Sequence, residues 1–185
     1  ESRGLEVTES TQDKAVTTYV ITAAVNATKA HSAFLRTLTL YCETNNAMLV
    51  VIPMRYRNPT RTDDTPDDWW DARLGQYITH ERTRIAKGLV VMADIKMQPT
   101  AINPLNGWKT VSGTDSAIFG HTKIALTSVP TRVGAPAKLI LTTGCCTVEQ
   151  YSDTNAGAKG RFHHTLGAAI VEVDGVSNHI RHITP

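Results

Sequence analysis

The chain has 185 residues, of which 41% are hydrophobic and 19% charged, with a formal net charge of +2. This length suits one domain with a sizeable core, and no apolar run approaches the roughly 20 residues that span a bilayer. The weak charge excludes a dedicated nucleic-acid neutraliser, and three cysteines, an odd number, disfavour a disulfide framework. We therefore expect a globular protein in a reducing, intracellular compartment.

The first structured stretch predicts a βαβ unit. "TTYVITAAV" (17–25) is rich in β-branched residues, which favours a strand. From Lys29 onward apolar residues recur at helical spacing, with Thr28 as the predicted N-cap, until Asn45–Asn46 ends the helix. "AMLVVIP" (47–53) is nearly continuous in apolar residues and predicts a buried strand parallel to the first.

The middle of the chain predicts a charged loop, helices and a further strand. The loop is "RYRNPTRTDDTPDD" (55–68), and the residues from 67 to 88 favour two helical segments, with acids early and Lys87–Gly88 at the end. "LVVMADI" (89–95) predicts a third strand. The segment 96–120 then predicts a long irregular connection, a length typical of functional or mobile loops.

The last third predicts strands separated by a polar loop at residues 152–164. "VDG" is a hairpin signal before the final strand. The predicted strands are "TKIALTSVP", "AKLILTT", "LGAAIVEVD" and "NHIRHI". We expect residues 1–16, which open without a Met and suggest a fragment or processed product, to form a polar tail or linker. Residues 17–185 should form a single α/β domain, a layered sandwich with an N-terminal βαβ unit and a strand-rich C-terminal half.

Ligands in such sheets bind beyond the carboxyl ends of parallel strands, and cations follow several of the predicted strands. Arginine and lysine there suit a phosphate, because they present several charged donors. The predicted phosphate-binding residues are Arg55, Arg57, Lys96, Lys123, Lys159 and Arg161. The alternative is that Arg55 and Arg57 pair with nearby aspartates, that Lys96 pairs with Asp94, and that the last two belong to a basic surface loop.

Three histidines and three acids are candidates for chemistry at the same edge. His121, His163 and His164 are the predicted acid–base or metal-binding groups, although an isolated histidine is often structural. Magnesium or manganese would need carboxylates that converge in space, and the candidates are Asp94, Asp115 and Asp153. The usual histidine and cysteine metal motifs, phosphate loops and dinucleotide fingerprints are absent from the sequence.

Cys145 and Cys146 follow a predicted strand and Gly144. A thiol there is a nucleophile only where a base or a cation lowers its pKa, and a buried cysteine otherwise packs as a small apolar residue. We expect the two thiols to finish a buried strand, while the glycines, cations and histidines after them form one wall of an anion site.

The segments "YVITAAVNATKAH", "AMLVVIPMRYRNPT", "ADIKMQPTAINPL" and "TTGCCTVEQYSDTNAGAKGRFHHTLGAAIVEVDG" resemble an uncharacterised family encoded by tailed bacteriophages. In that family a helix-turn-helix-like portion tends to precede this segment. The resemblance implies a viral protein that works near nucleic acid in the host cytoplasm, and it brings no established activity.

The order of "MLVVIPM", Lys123 and Cys145 or Cys146 is similar to the nitrilase-like superfamily, which has a four-layer α/β/β/α fold. Met54 stands where that family has its glutamate base, so a thiol here lacks that activation. Metallophosphoesterases have a comparable layered sandwich, but their metal-binding acid motifs are missing from this chain.

Three functional hypotheses follow. The first is a phage-encoded domain that acts on nucleic acid or nucleotide phosphates, as a metal-assisted nuclease or phosphodiesterase if it is an enzyme. The second is a DNA-associated binding or oligomerisation module without catalysis. The third is a degenerate nitrilase-like thiol amidohydrolase, which would carry a rapidly alkylated thiol.

Overall fold

Two β-sheets lie face to face in the computed structural model, which describes residues 16–57, 66–175 and 177–185. The first sheet contains, in spatial order, β2 (Met48–Met54), β1 (Thr17–Val25), β8 (Ala168–Val173) and β9 (Asn178–Ile183). The second contains β3 (Arg82–Ala86), β4 (Leu89–Met92), β5 (Ser116–Phe119), β7 (Lys138–Thr142) and β6 (Leu126–Val129). The predicted layered α/β sandwich with a strand-rich C-terminal half is confirmed.

The N-terminal βαβ unit has the predicted form, with β1 and β2 parallel and Tyr19 opposite Met48. Between them lies helix α1 (Ser32–Asn45). The predicted N-cap was wrong: His31, not Thr28, caps α1, because its Nδ1 accepts a hydrogen bond from the N–H of residue 34 at 3.2 Å. Asn46 ends the helix in the left-handed conformation with φ of 48°, which asparagine tolerates.

Apolar side chains fill three interfaces in this stack of layers. Between the sheets, residues such as Ile21 and Ile52 meet Val91 and Ile118. The outer face of the first sheet is covered by α1, whose inward side chains are Phe34, Leu35 and Leu38. The outer face of the second sheet is covered by the irregular segment before β5, through Met97, Leu105 and Trp108. Burial of these side chains holds the layers together.

The helices predicted over residues 67–88 were wrong. The structure has only a 3-10 turn at Ala72–Leu74, followed by β3 and β4 as an antiparallel hairpin. Gly88 has a φ of +76°, so Lys87 and Gly88 form a tight turn where the sequence suggested a helix end. The sequence predicted residues 96–120 as one irregular connection. In the structure the end of this segment forms the short strand β5, which lies between β4 and β7 and is parallel to both.

The polar loop predicted at residues 152–164 was also wrong, because most of it is helix α2 (Asn155–His163) with Thr154 as N-cap. Glycine is a poor helix former, so Gly157 and Gly160 hid the helical signal. Both glycines are buried against the preceding segment, and a Cβ on Gly160 would meet a ring carbon of Tyr151 at 2.7 Å. These glycines therefore permit close packing of the helix.

Parts of two predicted segments lie outside the described residues: 1–15 of the tail, and 58–65 of the charged loop. The division into a tail and one domain stays a prediction. In the described part of the chain, no helix is long and apolar enough to cross a membrane. The three cysteines are free thiols.

Candidate functional site

The carboxyl ends of the parallel strands converge at one edge of the two sheets. After β7 the chain crosses from the second sheet to the first, where Cys145 pairs with Ala23 of β1. Gly144 also pairs with His121, which follows β5. We call this convergence the carboxyl edge. It is the edge at which the sequence predicts a ligand.

A polar cluster of Tyr56, Cys145, Tyr151, Ser152 and His164 lies at the carboxyl edge. The Tyr151 hydroxyl is 2.8 Å from His164 Nδ1, and His164 Nε2 is 2.9 Å from the carbonyl oxygen of residue 147. Cys145 Sγ lies 3.5 Å from His164 Nε2. The Tyr56 hydroxyl is 2.5 Å from Ser152 Oγ, and its ring meets that of Tyr151 edge-on at 5.0 Å. The cluster thus joins the end of β2 to the segments flanking α2.

The hydrogen bonds of His164 define its protonation. A carbonyl only accepts, so Nε2 carries the hydrogen, and Nδ1 accepts the Tyr151 O–H. Burial lowers the pKa of His164, which favours this neutral form. Burial likewise raises the pKa of the Cys145 thiol to about 12 and raises the pKa of Tyr151. At neutral pH His164, Cys145 and Tyr151 are therefore neutral, and His164 forms hydrogen bonds through both of its ring nitrogens.

His121 is fully buried, and both of its ring nitrogens are engaged. Nδ1 accepts the backbone N–H of Lys123 at 2.9 Å, and Nε2 donates to the carbonyl oxygen of Gln98 at 3.0 Å. Burial lowers the pKa of His121 to about 4. A neutral ring with no free lone pair cannot take a proton from a substrate. His121 instead ties the segment covering the second sheet to the end of β5.

Three cations lie on the segments that flank the polar cluster, with His163 beside them, and we call the three cations the cationic rim. On α2, Ala156, Lys159 and His163 are three to four residues apart and therefore share one flank of the helix. Burial lowers the pKa of His163, and the nearby charge of Lys123 lowers that pKa further. Arg57 lines a cleft of about 310 Å³ that also contains Ala156 and Asp67. The cationic rim is Arg57, Lys123 and Lys159.

The other predicted phosphate-binding cations lie elsewhere or have acidic partners. Arg55 makes a 2.9 Å ion pair with Asp68, both largely buried, as the alternative interpretation of this loop required. Burial lowers the pKa of His80, and the nearby charge of Lys96 lowers that pKa further. Arg161 is 3.0 Å from Glu149 and also approaches Asp153. These three cations are not part of the rim.

The three predicted metal-binding acids are not brought together. Asp94 pairs with Arg82 at 2.9 Å and Asp115 with Arg84 at 2.6 Å, while Asp153 is fully exposed beside Arg161. No group of three histidine, cysteine, aspartate or glutamate side chains that could hold a metal ion occurs within the ranges that the structure describes. This set does not fit a magnesium or manganese ion.

The sequence did not single out Asn26, Tyr56 or Tyr151 as site residues. Asn26 is buried, and its Oδ1 accepts the N–H of Tyr56 at 2.8 Å and that of Arg57 at 3.2 Å. It thereby sets the positions of one cluster residue and one rim residue. The contact between Tyr56 and Ser152 spans 96 positions, so no local pattern could reveal it. The only sequence signal for Asn26 is its position just after β1.

No protein-family profile matches the chain. It is 30% identical over 162 residues to Protein A1 of Escherichia phage T5, an alignment that covers 84% of this chain and 29% of that protein. The chain thus spans less than a third of this relative's length.

Among solved structures, Vps29 from Chaetomium thermophilum matches with a TM-score of 0.45 and 5% identity, covering 91% of this chain and 98% of that one. Vps29 from Entamoeba histolytica, in complex with zinc, matches with a TM-score of 0.41 and 13% identity, covering 91% and 99%. Both TM-scores lie below 0.5, so neither match assigns an activity. The sequence similarity, in contrast, relates this chain to a phage protein.

Proposed function

We propose that this chain is a module that binds nucleic acid through its phosphates and forms part of a longer phage protein. The observation that carries the proposal is the cationic rim on the segments that flank the hydrogen-bonded polar cluster. Lysine and arginine on one rigid surface attract phosphates without a requirement for base sequence. Similarity to a phage protein several times longer than this chain supports the modular part of the proposal.

Binding is favoured over hydrolysis by the state of the candidate histidines. Phosphodiester hydrolysis needs a group that takes up a proton or holds a metal ion. His121 and His164 each have both ring nitrogens in hydrogen bonds. Within the described residues, His163 is the only one of the three predicted histidines with no ring-nitrogen hydrogen bond. Metal-assisted hydrolysis therefore stays a prediction that the same experiment tests.

The hypothesis of a nitrilase-like thiol enzyme has less support than nucleic-acid binding or metal-assisted hydrolysis. Met54 and Cys145 are both fully buried and pack in the same apolar cluster, so the thiol has an apolar neighbour where a nitrilase-like enzyme has its glutamate. Burial raises the pKa of Cys145 to about 12, so the reactive thiolate is scarce at neutral pH.

The proposal is tested by fluorescence anisotropy of labelled single- and double-stranded DNA and RNA over a range of salt concentrations. We expect Kd to rise steeply with salt, and Lys123→Gln and Lys159→Gln each to reduce the slope of log Kd against log salt by about 1. Arg36→Gln removes an exposed charge from α1 and is the matched control, expected to leave the slope unchanged.

Denaturing gels of the same mixtures, with magnesium, with manganese and with EDTA, test for cleavage. Intact nucleic acid in every lane is the expected result. Metal-dependent cleavage that is lost in His163→Ala would contradict a purely binding role and support the hydrolase. Equal binding by Arg36→Gln and Lys159→Gln would reject the cationic rim as the binding surface.

A further inference from the structure

A second cleft lies at the opposite edge of the second sheet, where β5 and β7 begin, and we call it the basic cleft. Its volume is about 630 Å³, and it lies between the connection before β5 and the loop that joins β6 to β7. The residues that line it include three cations and no acid. It shares no residue with the polar cluster or the cationic rim.

The floor of the basic cleft contains a buried charge. Lys138 is 3% exposed, and its Nζ donates to the carbonyl oxygens of Lys109 at 2.7 Å and Gly113 at 2.6 Å. An ammonium group has three donors and a full positive charge, whereas carbonyls offer only partial negative charge. In the described part of the chain Lys138 has no ion pair with an acidic side chain. A buried charge without a counter-charge is costly, so an anion in the cleft would stabilise it.

The neighbouring cleft, of about 610 Å³, shows the contrasting arrangement. There the guanidinium of Arg84 lies 2.6 Å from the carboxylate of Asp115, which supplies the counter-charge from the protein itself. The basic cleft has no such acid among its lining residues.

The rim of the basic cleft determines which anion fits. Lys109 and Arg132 add two further cations, and Thr110 and Thr131 add hydroxyl groups, while Val129 and Pro130 form an apolar wall. Three cations without an acid suit a doubly charged group better than a carboxylate. We propose that the basic cleft binds the phosphate monoester of a nucleotide, with the sugar or base against the apolar wall. The source is either a free mononucleotide or the terminal phosphate of a strand.

NMR titration of the ¹⁵N-labelled chain tests this inference. The probes are inorganic phosphate, thymidine 5′-monophosphate, thymidine, and one oligonucleotide with and without a 5′-phosphate. We expect saturable shifts at the amides of Gly113, Thr114 and Thr131 with the monophosphate and not with thymidine. A response to the phosphorylated oligonucleotide as well identifies strand ends as a source, and a response to the mononucleotide alone identifies free nucleotide.

Variants separate binding from a purely structural role of the lysine. We expect Arg132→Gln and Lys109→Gln, both at exposed positions, each to weaken binding roughly three- to tenfold, with Arg36→Gln as the unchanged control. Lys138→Met should abolish binding, but the substitution also removes two internal hydrogen bonds. If the Lys138→Met variant does not fold, the two exposed variants decide the test.

Absence of saturable shifts at the basic cleft, or equal affinity in Arg132→Gln and the unaltered chain, would overturn the inference. Shifts confined to α2 and Arg57 would also overturn it, while leaving the proposed function intact.

Discussion

The buried imidazole of His121 at the carboxyl edge has a partner for each nitrogen. The buried ammonium of Lys138 at the opposite edge has two carbonyl partners and, among the described residues, no acidic one. Both side chains are polar, almost inaccessible and joined to backbone groups. They differ in their surroundings: burial keeps the ring of His121 neutral, whereas Lys138 lines the basic cleft.

This difference indicates where to look for a ligand. The carboxyl edge carries the residues that attract attention in the sequence, including two cysteines and three histidines. There the protein's own groups hydrogen-bond to both ring nitrogens of His121 and of His164, so we expect the exposed cations, and not these rings, to interact with other molecules. The opposite edge attracts no attention in the sequence, yet it contains a buried charge, on Lys138, with no acidic partner among the described residues. Unmatched charge is therefore a better guide here than residue type.

The largest expected effect concerns two glycines, one at each edge. Gly144 has a φ of +79°, and a Cβ there would lie 2.8 Å from the Cα of Gly167, whereas Gly134 has a φ of +84° with open space around it. We expect Gly144→Ala to lower the free energy of unfolding by roughly 3–4 kcal/mol. Gly134→Ala should cost only about 1 kcal/mol, from backbone strain alone. Urea denaturation measures both, and equal losses would show that the carboxyl edge is not tightly packed.

The pH dependence of stability tests the neutral state of the carboxyl edge. Burial lowers the pKa of His121 to about 4, below the value of about 6.5 expected in the unfolded chain. Between these two pKa values the unfolded state binds more protons than the folded state. The contribution of neutral His121 to the free energy of unfolding is therefore present above pH 6.5 and is lost as the pH falls to about 4. The loss amounts to about 3 kcal/mol across that window.

Urea denaturation midpoints at a series of pH values measure this loss. We expect His121→Gln to flatten the profile, and the exposed His179→Gln to leave it unchanged. The lowered pKa of His164 acts with the same sign, so part of the slope should survive in His121→Gln. Parallel profiles for His121→Gln and the unaltered chain would contradict a neutral, buried His121.

A smaller effect is expected from the Tyr151 hydroxyl. Tyr151→Phe removes the donor to His164 Nδ1 and leaves a partly buried acceptor unmatched, which should cost about 1–2 kcal/mol. Tyr41→Phe is the matched control, because the Tyr41 hydroxyl accepts a hydrogen bond from Arg181 in an exposed setting, and its loss should stay within about 0.5 kcal/mol. Thermal unfolding compares the two. A rise in the pKa of His164 in Tyr151→Phe, measured by NMR, would support the assignment of Nδ1 as acceptor.

Local patterns predicted the N-terminal unit well, because β1, α1 and β2 each carry their own periodic signal and follow one another directly. The same reasoning failed for β3, because its charged residues favour a helix locally, whereas in the folded chain they form a strand that pairs with β4. It failed for α2 as well, where Gly157 and Gly160 lower helix propensity but let the helix pack closely. In both cases a tertiary contact outweighed local preference.

The sequence by itself determined the layered α/β class and the edge at which the parallel strands end, because apolar periodicity and the succession of elements along the chain are local properties. Only the tertiary structure decided which polar residues meet there, since Tyr56 and Ser152 are 96 positions apart. It alone also decided which charges lack an acidic partner. Arg55 and Lys138 are both cations at the end of a strand. In the folded chain Arg55 forms an ion pair with Asp68, whereas Lys138 has two carbonyl partners and no acidic partner among the described residues.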